Sequence, residues 1–281
     1  MTSVVIAAHN EAAVIGRCLD SLLAGAAPGE FDVTVVANGC TDDTAKVAAE
    51  RGVRVIDRAE PGKPGALNAG DAVAVGFPRV YLDADIVLTT DGLRRLAAAI
   101  GGPVLAATAR RDLDLTGRPL PVRGYFAINR RLPAFRTGLF GRGVIVLGQA
   151  GRARFDRFPD MVSDDLFLDS LFTVAEKREV SAVPSRVATP LRTAHLVRRL
   201  VRVRGGNTAM RSASASGEVA ADVRPANRSS WLKDVVLRRP WLAPAAVCYV
   251  GITLYAATKA RSGTDQGWGR DDSTRQEQAH V

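Results

Sequence analysis

Short, continuous runs of β-branched and apolar residues recur between residues 4 and 108, separated by stretches with helical periodicity, and this alternation constrains the fold more than any other feature. The runs are Val4 to Ala8, Val33 to Ala37, Val53 to Asp57, Val80 to Leu82 and Val104 to Thr108. A strand that is apolar at every position must be covered on both faces, the condition of a parallel sheet held between helices. The first intervening stretch puts Ile15, Cys18, Leu19, Leu22 and Leu23 on one helical stripe, with Asn10 as its candidate cap and Glu11 in the first turn. A second helix is expected from Thr41, with Asp42 and Asp43 complementing its dipole. The predicted class is α/β, a mostly parallel central sheet flanked by helices, with a C-terminal helical appendage.

Residues 110–142 are rich in Arg, Pro and Gly without a firm period, which predicts loops and short elements. Val144 to Leu147 reads as another strand, and Leu166, Leu168, Leu171, Phe172 and Ala175 trace a helix beginning just after Ser163-Asp164-Asp165. Near the C-terminus, Trp241 to Thr258 carries no charge and is bracketed by Arg238-Arg239 and by Lys259 and Arg261. At 1.5 Å per residue it would span roughly 27 Å, just short of a hydrocarbon core. Pro244 and Gly251 weaken a simple span, so the stretch reads first as a helix or hairpin in a membrane interface, with burial against the protein and a full span as alternatives. The chain beyond Ser262 is polar and charged and is expected to be disordered.

A formal net charge of +9 implies an anionic partner: nucleic acid, anionic lipid or a phosphorylated substrate. Arginine dominates from Arg178 to Arg239, so the basic surface is local. A nucleic-acid module would want aromatic strands for base stacking, which this chain lacks, and no nucleic-acid partner is expected. Cys18, Cys40 and Cys248 lie far apart without a CxxC spacing, which suggests neither disulfide nor zinc. The opening Met1-Thr2-Ser3 has no basic region or cleavage site of a secretory signal, and a cytoplasmic location is expected.

The strongest local signal is Tyr81-Leu82-Asp83-Ala84-Asp85, an apolar strand ending in two carboxylates. At the carboxyl end of a parallel-sheet strand, Asp85 is a candidate ligand for Mg2+ or Mn2+, and Asp83 a support for a ribose or for the metal shell. Spacing alone cannot separate this from a solvated acidic turn, because D-x-D is a weak pattern. Three further strand-end segments accompany it: Ala7-Ala8-His9-Asn10-Glu11, Val36-Ala37-Asn38-Gly39-Cys40-Thr41-Asp42-Asp43-Thr44, and Gly62-Lys63-Pro64-Gly65-Ala66-Leu67-Asn68-Ala69-Gly70.

In this order the segments resemble the signature of family-2 nucleotide-sugar glycosyltransferases of GT-A fold, over roughly the first hundred residues. The resemblance implies inverting transfer from a UDP- or GDP-type sugar to a hydroxyl acceptor, with Ala8, His9 and Glu11 near the nucleoside and Lys63 near the base or phosphates. Where the family often has an acid before the turn, this chain has Ala37 and then Asn38, whose amide can offer both donor and acceptor to a base edge. Asp164-Asp165 resembles the family's acidic pair, with Asp165 in the place of the general base and Asp where Glu is more usual. A helix N-terminus lowers a carboxylate pKa, so burial would have to offset that shift.

The segment His195 to Asn207 occupies the position of the family's Q-x-x-R-W element, which is absent as written. Arg198, Arg202 or Arg204 could contact the diphosphate in its place, Arg202 first, and His195 is a candidate for the metal shell. The expected organisation is a catalytic region over 1–212, with a donor half at 1–109 and an acceptor half at 110–212, then a helical, membrane-associating segment at 213–261 and a tail at 262–281. The apolar stretch points to a lipid-linked or envelope-glycan acceptor and to peripheral contact with an anionic membrane at its inner face. The rivals are a nucleotidylyltransferase, which would want a Gly-rich phosphate loop where His9-Asn10-Glu11-Ala12 stands, and a non-catalytic basic adaptor in which the acids are inert.

Overall fold

Val4, Val5 and Ile6 are all fully buried although consecutive residues of a strand point to opposite faces, so the sheet is covered on both sides. In the computed structural model, which describes residues 1–261 except Val162, 220–222, Ala226 and Arg228, the strands are β1 (Thr2–Ala8), β2 (Phe31–Asn38), β3 (Arg54–Arg58), β4 (Arg79–Asp83), β5 (Ala106–Asp114), β6 (Val144–Leu147) and β7 (Lys177–Ala188). They form one seven-stranded sheet in the order β3-β2-β1-β4-β6-β5-β7. Only β6 runs against its neighbours, pairing antiparallel with β4 and β5. The tail expected beyond Ser262 lies outside the described residues.

Helices α1 (Ala12–Leu23), α2 (Thr44–Ala49) and α4 (Thr90–Ala98) cover one face, where Ile15, Leu19, Leu22, Leu93 and Leu96 pack on Val4 and Ile6. On the other face, α3 (Lys63–Val73) and α8 (Asp164–Ser170) bring Leu67, Phe167 and Leu168 onto Val5 and Tyr81. Each fully buried aliphatic side chain here contributes about 1.5–3 kcal/mol of transfer free energy. Short helices α6 (Pro133–Thr137) and α7 (Gln149–Arg152) flank β6.

The expected alternation is present, and the departures from it are physical. α1 begins at Ala12 with Glu11 at the cap position, and its capping group comes from across the loop: the Ala12 N–H donates to Asp42 Oδ2 at 3.1 Å. Asn10, expected as the cap, instead takes a left-handed φ of 54° and accepts the Thr41 N–H at 2.8 Å. α2 starts at Thr44 rather than Thr41. Within 110–142, expected as loops and short elements, β5 runs on to Asp114 and α5 (Leu120–Asn129) buries Val122, Tyr125, Phe126 and Ile128. Its interrupting glycine has a packing reason: a Cβ at Gly124 would lie 3.0 Å from Cβ of Cys248. β7 escaped the sequence reading because it is an edge strand with Pro184 inside it and buries only Val183, Ser185 and Val187.

The arginine-rich segment forms α9 (Thr193–Ala215), and the apolar C-terminal stretch lies in α10 (Ala243–Arg261). Pro244 sits in the first turn of α10, where a missing N–H costs nothing, so it does not break the helix. Ile252 and Ala256 pack against Val122, Phe126, Leu196 and Val201, and Tyr125 stacks on Tyr249 with ring centroids 5.2 Å apart. The opposite stripe, with Val247, Leu254 and Tyr255, is exposed, as is Trp241 just before the helix. The segment Pro240–Arg261 is long and apolar enough to cross a membrane by length and composition, at a mean hydropathy of 1.4, yet one side of it is committed to α5 and α9.

Candidate active site

The carboxyl ends of β1, β2 and β4 lie together at one edge of the sheet, the edge where parallel α/β sheets generally bind their ligands. Two loops there are tied together by side chains. Asn38 is 2% exposed and donates from Nδ2 to the Ala8 carbonyl at 2.7 Å, while its Oδ1 accepts the Gly62 N–H at 2.9 Å. The amide expected to read a base edge is thus spent inside the protein, stapling the ends of β1 and β2 to the start of α3. His9 Nδ1 donates to the Asn38 carbonyl at 2.5 Å, which fixes the ring over the same loop. Glu11 is buried, and its N–H donates to Thr44 Oγ1 at 2.7 Å. Burial works against the charge on Asp42, but hydrogen bonds from Thr44 and Ala12 hold its carboxyl below the usual range. Asp42 therefore braces the loop and caps α1.

Lys63, in the first turn of α3, reaches two acids. Its Nζ lies 2.8 Å from Asp83 Oδ1 and 2.9 Å from Asp164 Oδ2, joining the end of β4 to the start of α8. Although burial opposes its charge, the carboxylates of Asp164 and Asp83 keep the Lys63 ammonium well above its ordinary pKa. Burial likewise opposes ionisation of Asp83, but Lys63 and, at longer range, Arg199 hold its carboxyl below the usual range.

Asp165 behaves differently from its neighbour. Burial, and then the charge of Asp164, raise its pKa to about 6, against the pull of Lys63 and of the Gly141 N–H. That N–H donates to Asp165 Oδ2 at 3.1 Å. The helix N-terminus that should depress this carboxylate is outweighed, which gives a base poised just below neutral pH. The backbone is strained at this point: Ser163, which precedes the acidic pair, has φ 144° without being glycine, and its Oγ donates to Asn207 Oδ1 of α9 at 3.1 Å. Gly143, in the loop from Gly141 into β6, has φ 69°, and a Cβ there would lie 2.4 Å from Ile86 and 3.2 Å from Asp83 Oδ2. Only glycine lets this loop pass so close to the acidic strand end.

Asp85 is half-buried two residues past Asp83. Among the described residues no group of three or more His, Cys, Asp or Glu side chains forms a metal cage. A strand-end carboxylate pair still fits Mg2+ or Mn2+, which are held by one or two carboxylates, with waters and substrate phosphates completing the shell. Of the arginines expected at the diphosphate, Arg198 and Arg202 are exposed and Arg204 is half-buried. The α9 arginine whose charge reaches Asp83 is Arg199. Helical phase does not separate it from Arg202: along α9, His195, Arg199 and Arg202 stand at i, i+4 and i+7 and share one stripe.

The model of the family described as glycosyl transferase family 2 matches residues 3–158. The PGL/p-HBAD biosynthesis glycosyltransferase of Mycobacterium bovis is 32% identical over 157 residues, covering 50% of this chain and 61% of that protein, and the chain thus spans about three fifths of the length of such relatives. An uncharacterised glycosyltransferase of a Nostoc species is 32% identical over 100 residues, covering 34% of this chain and 31% of that protein. A mannosyltransferase from Pyrobaculum calidifontis, solved in complex with GDP-Man and Mn2+, has the same fold at a TM-score of 0.60 and 18% identity, covering 99% of this chain and 84% of that one. With more than half of its length matched by the family model, on a GT-A sheet, the chain belongs to glycosyl transferase family 2.

Proposed function

We propose that this glycosyltransferase inverts the anomeric centre of a UDP- or GDP-linked sugar as it transfers the sugar to a hydroxyl, with Asp165 as the general base. In this reading residues 1–109 bind the donor, residues 110–212 the acceptor, and 213–261 form the helical appendage. The observation that carries it is the convergence of Asp83, Lys63, Asp164 and Asp165 at one sheet edge, with Asp165 raised into the range of a general base and Asp83 held ionised beside Lys63.

Asp165 Oδ2 is held by the Gly141 N–H, so Oδ1 is the oxygen that accepts the acceptor hydroxyl's proton as that oxygen attacks the anomeric carbon. Asp164 keeps the Lys63 ammonium beside the site, and Lys63 in turn keeps Asp83 ionised. Asp85, supported by Asp83, would hold Mg2+ or Mn2+, which supplies Lewis-acid stabilisation of the leaving diphosphate. Ala8, His9 and Glu11 line the nucleoside end, and Asn38 shapes it from behind. Glycosyltransferase relatives and a fold neighbour carrying GDP-Man and Mn2+ support the donor class.

The acceptor is lipid-linked in this proposal. Support comes from the exposed apolar stripe of α10, with Trp241 and Leu237 beside it and Arg238, Arg239, Lys259 and Arg261 at its ends, the composition of a surface that rests on an anionic membrane at its cytoplasmic face. Calorimetric titration with UDP and GDP, each with and without Mn2+, tests the donor site. Metal-dependent binding of one nucleotide, lost in Asp85→Ala, is expected; binding of neither nucleotide would sink the proposal.

A further inference from the structure

A guanidinium removed from water without an anionic partner is costly, so proteins that bury arginine normally supply a carboxylate. Arg142 obeys this rule: it is 1% exposed, pairs with Glu179 at 2.6 Å, and donates to the carbonyls of Phe135, Gly138 and Phe140. Its neighbours Arg111 and Arg199, each half-buried, do not. Arg111, on the outer part of β5, donates from Nη1 to Asn129 Oδ1 at 3.0 Å and lies over the Phe135 ring at 4.3 Å, while its Nε is buried without a hydrogen-bond partner. Arg199 has only a long bond from Nη1 to the Ala188 carbonyl at 3.5 Å. Among the described residues neither guanidinium has a carboxylate within ion-pair distance. Burial, and then the charges of Arg199 and Arg142, push Arg111 down to about 9, so it stays charged at neutral pH while its neighbours repel it.

Arg111 stands beside the base, and the charge of Arg199 reaches Arg111. The guanidinium of Arg111 lies 3.8–4.0 Å from where a Cβ of Gly141 would sit, and the Gly141 N–H is the group bonded to Asp165. Arg111 also stands away from the donor edge, while the charge of Arg199 reaches both Asp83 and Arg111. β6 separates β5 from β4, so Arg111 belongs to a strand roughly 10 Å from the one that carries Asp83 and Asp85. Around them lie Asn129 and Tyr125 of α5, and Tyr125 stacks on Tyr249 of α10, the helix with the exposed apolar stripe.

We infer that Arg111 and Arg199 form an anion subsite for the acceptor, which carries a phosphate or carboxylate close to the hydroxyl that Asp165 deprotonates. The inference rests on the transferase reading above. It assigns to the acceptor an anion that the donor does not need, because the diphosphate has its own candidate groups at Asp85 and Lys63. The anion supplies the partner that the fold withholds from both arginines, and fork contacts from two guanidinium groups would orient it. A phosphorylated lipid entering past α10 and a small soluble phosphate present the same chemistry to this pair.

The test uses the full chain with its donor site saturated by nucleoside diphosphate and Mn2+. Methyl phosphate and decyl phosphate are titrated calorimetrically into wild type, Arg111→Gln and Arg199→Gln, with circular dichroism melting to follow the fold. Both phosphates are expected to bind the nucleotide-loaded protein, and each substitution to weaken them by about tenfold or more, the range for a lost charge-assisted contact. Should Arg111→Gln fail to fold, the half-exposed Arg199 decides the matter. Decyl phosphate binding more tightly than methyl phosphate supports the subsite with a lipid-linked source, and equal binding supports it with a soluble one. Phosphate that binds only when nucleotide is absent would assign the arginines to the donor and overturn the inference, as would variants that match wild type. Nucleotide binding without any phosphate binding overturns the subsite alone; absence of both overturns the transferase reading as well.

Discussion

In the proposed reading, the donor edge and the acceptor edge of this sheet are built on opposite terms. At the donor edge the polar groups satisfy one another: Asn38 staples two loops, Asp42 caps a helix across a gap, and Lys63 neutralises two acids. At the acceptor edge Arg111 and Arg199 lack carboxylate partners and α10 presents an apolar stripe to solvent. The first pattern is that of a preorganised pocket for a small ligand, in which few groups must reorient on binding. The second leaves charge and apolar surface to be covered by something that the chain itself does not provide. On the proposed reading, one half of the site is complete on folding and the other only with its substrate.

The comparison breaks most sharply at Asp165, where the two edges meet. Asp165→Asn should lower kcat by about 10²- to 10⁴-fold, the range for losing a general base. In wild type, kcat/KM should rise with pH up to about 6 and level off above it, as Asp165 ionises. The same group has a stability signature of opposite sense. Its folded pKa is raised, so its favourable contribution is complete below the ordinary carboxylate range and is lost as pH rises through about 6. Asp165→Asn should therefore stabilise the fold at pH 8, by on the order of 1–3 kcal/mol, and leave it unchanged near pH 3. A variant both inactive and less stable at pH 8 would show that the carboxylate is structural.

Next in size is Asp85→Ala, which should weaken nucleotide binding in Mn2+ by about 10²-fold, the scale of one lost electrostatic contact at a charged site. An unchanged affinity would mean that the strand-end pair does not serve a metal. Asn38→Ala should then cost about 2–3 kcal/mol of stability, because the buried Ala8 carbonyl and Gly62 N–H both lose their partner. Chemical denaturation measures it. If the variant keeps full stability but changes its preference between UDP and GDP, Asn38 reads the base after all.

How much of this could be read from the chain follows the same division. Strands β1 to β4 and the acids at their ends were legible because they depend on local pattern: continuous apolar runs, and loops whose chemistry lies within a few residues. Strand β7 and helix α5 were not, since Pro184 and Gly124 look like breakers until the edge position of one and the close approach of Cys248 to the other are known. Asn38 shows the limit within a motif. It ends β2, next to the apolar run Val33 to Ala37, but the partners that consume its amide come from residues 30 and 24 positions away. Arg199 and Arg202 share a stripe of α9, and only the packed structure shows that Arg199 is the less exposed of the two and carries its charge to Asp83.

The smallest expected effect on the fold probes the least complete surface. Leu254 is 61% exposed on α10 while Ile252, two residues earlier, is buried against α5 and α9. Leu254→Asp should leave stability within about 0.5 kcal/mol, as exposed substitutions generally do. It places a charge where the apolar stripe would meet acyl chains and near the anionic surface that the flanking arginines prefer. Binding to vesicles of phosphatidylglycerol and phosphatidylcholine, followed by flotation, should fall by about tenfold, the order expected from losing one buried leucine. Ile252→Asp would instead unfold the α5–α9–α10 packing and so cannot separate the two roles. If Leu254→Asp floats as well as wild type while raising the salt of the buffer abolishes flotation, the arginines alone hold the lipid. The stripe would then await a protein partner rather than a membrane.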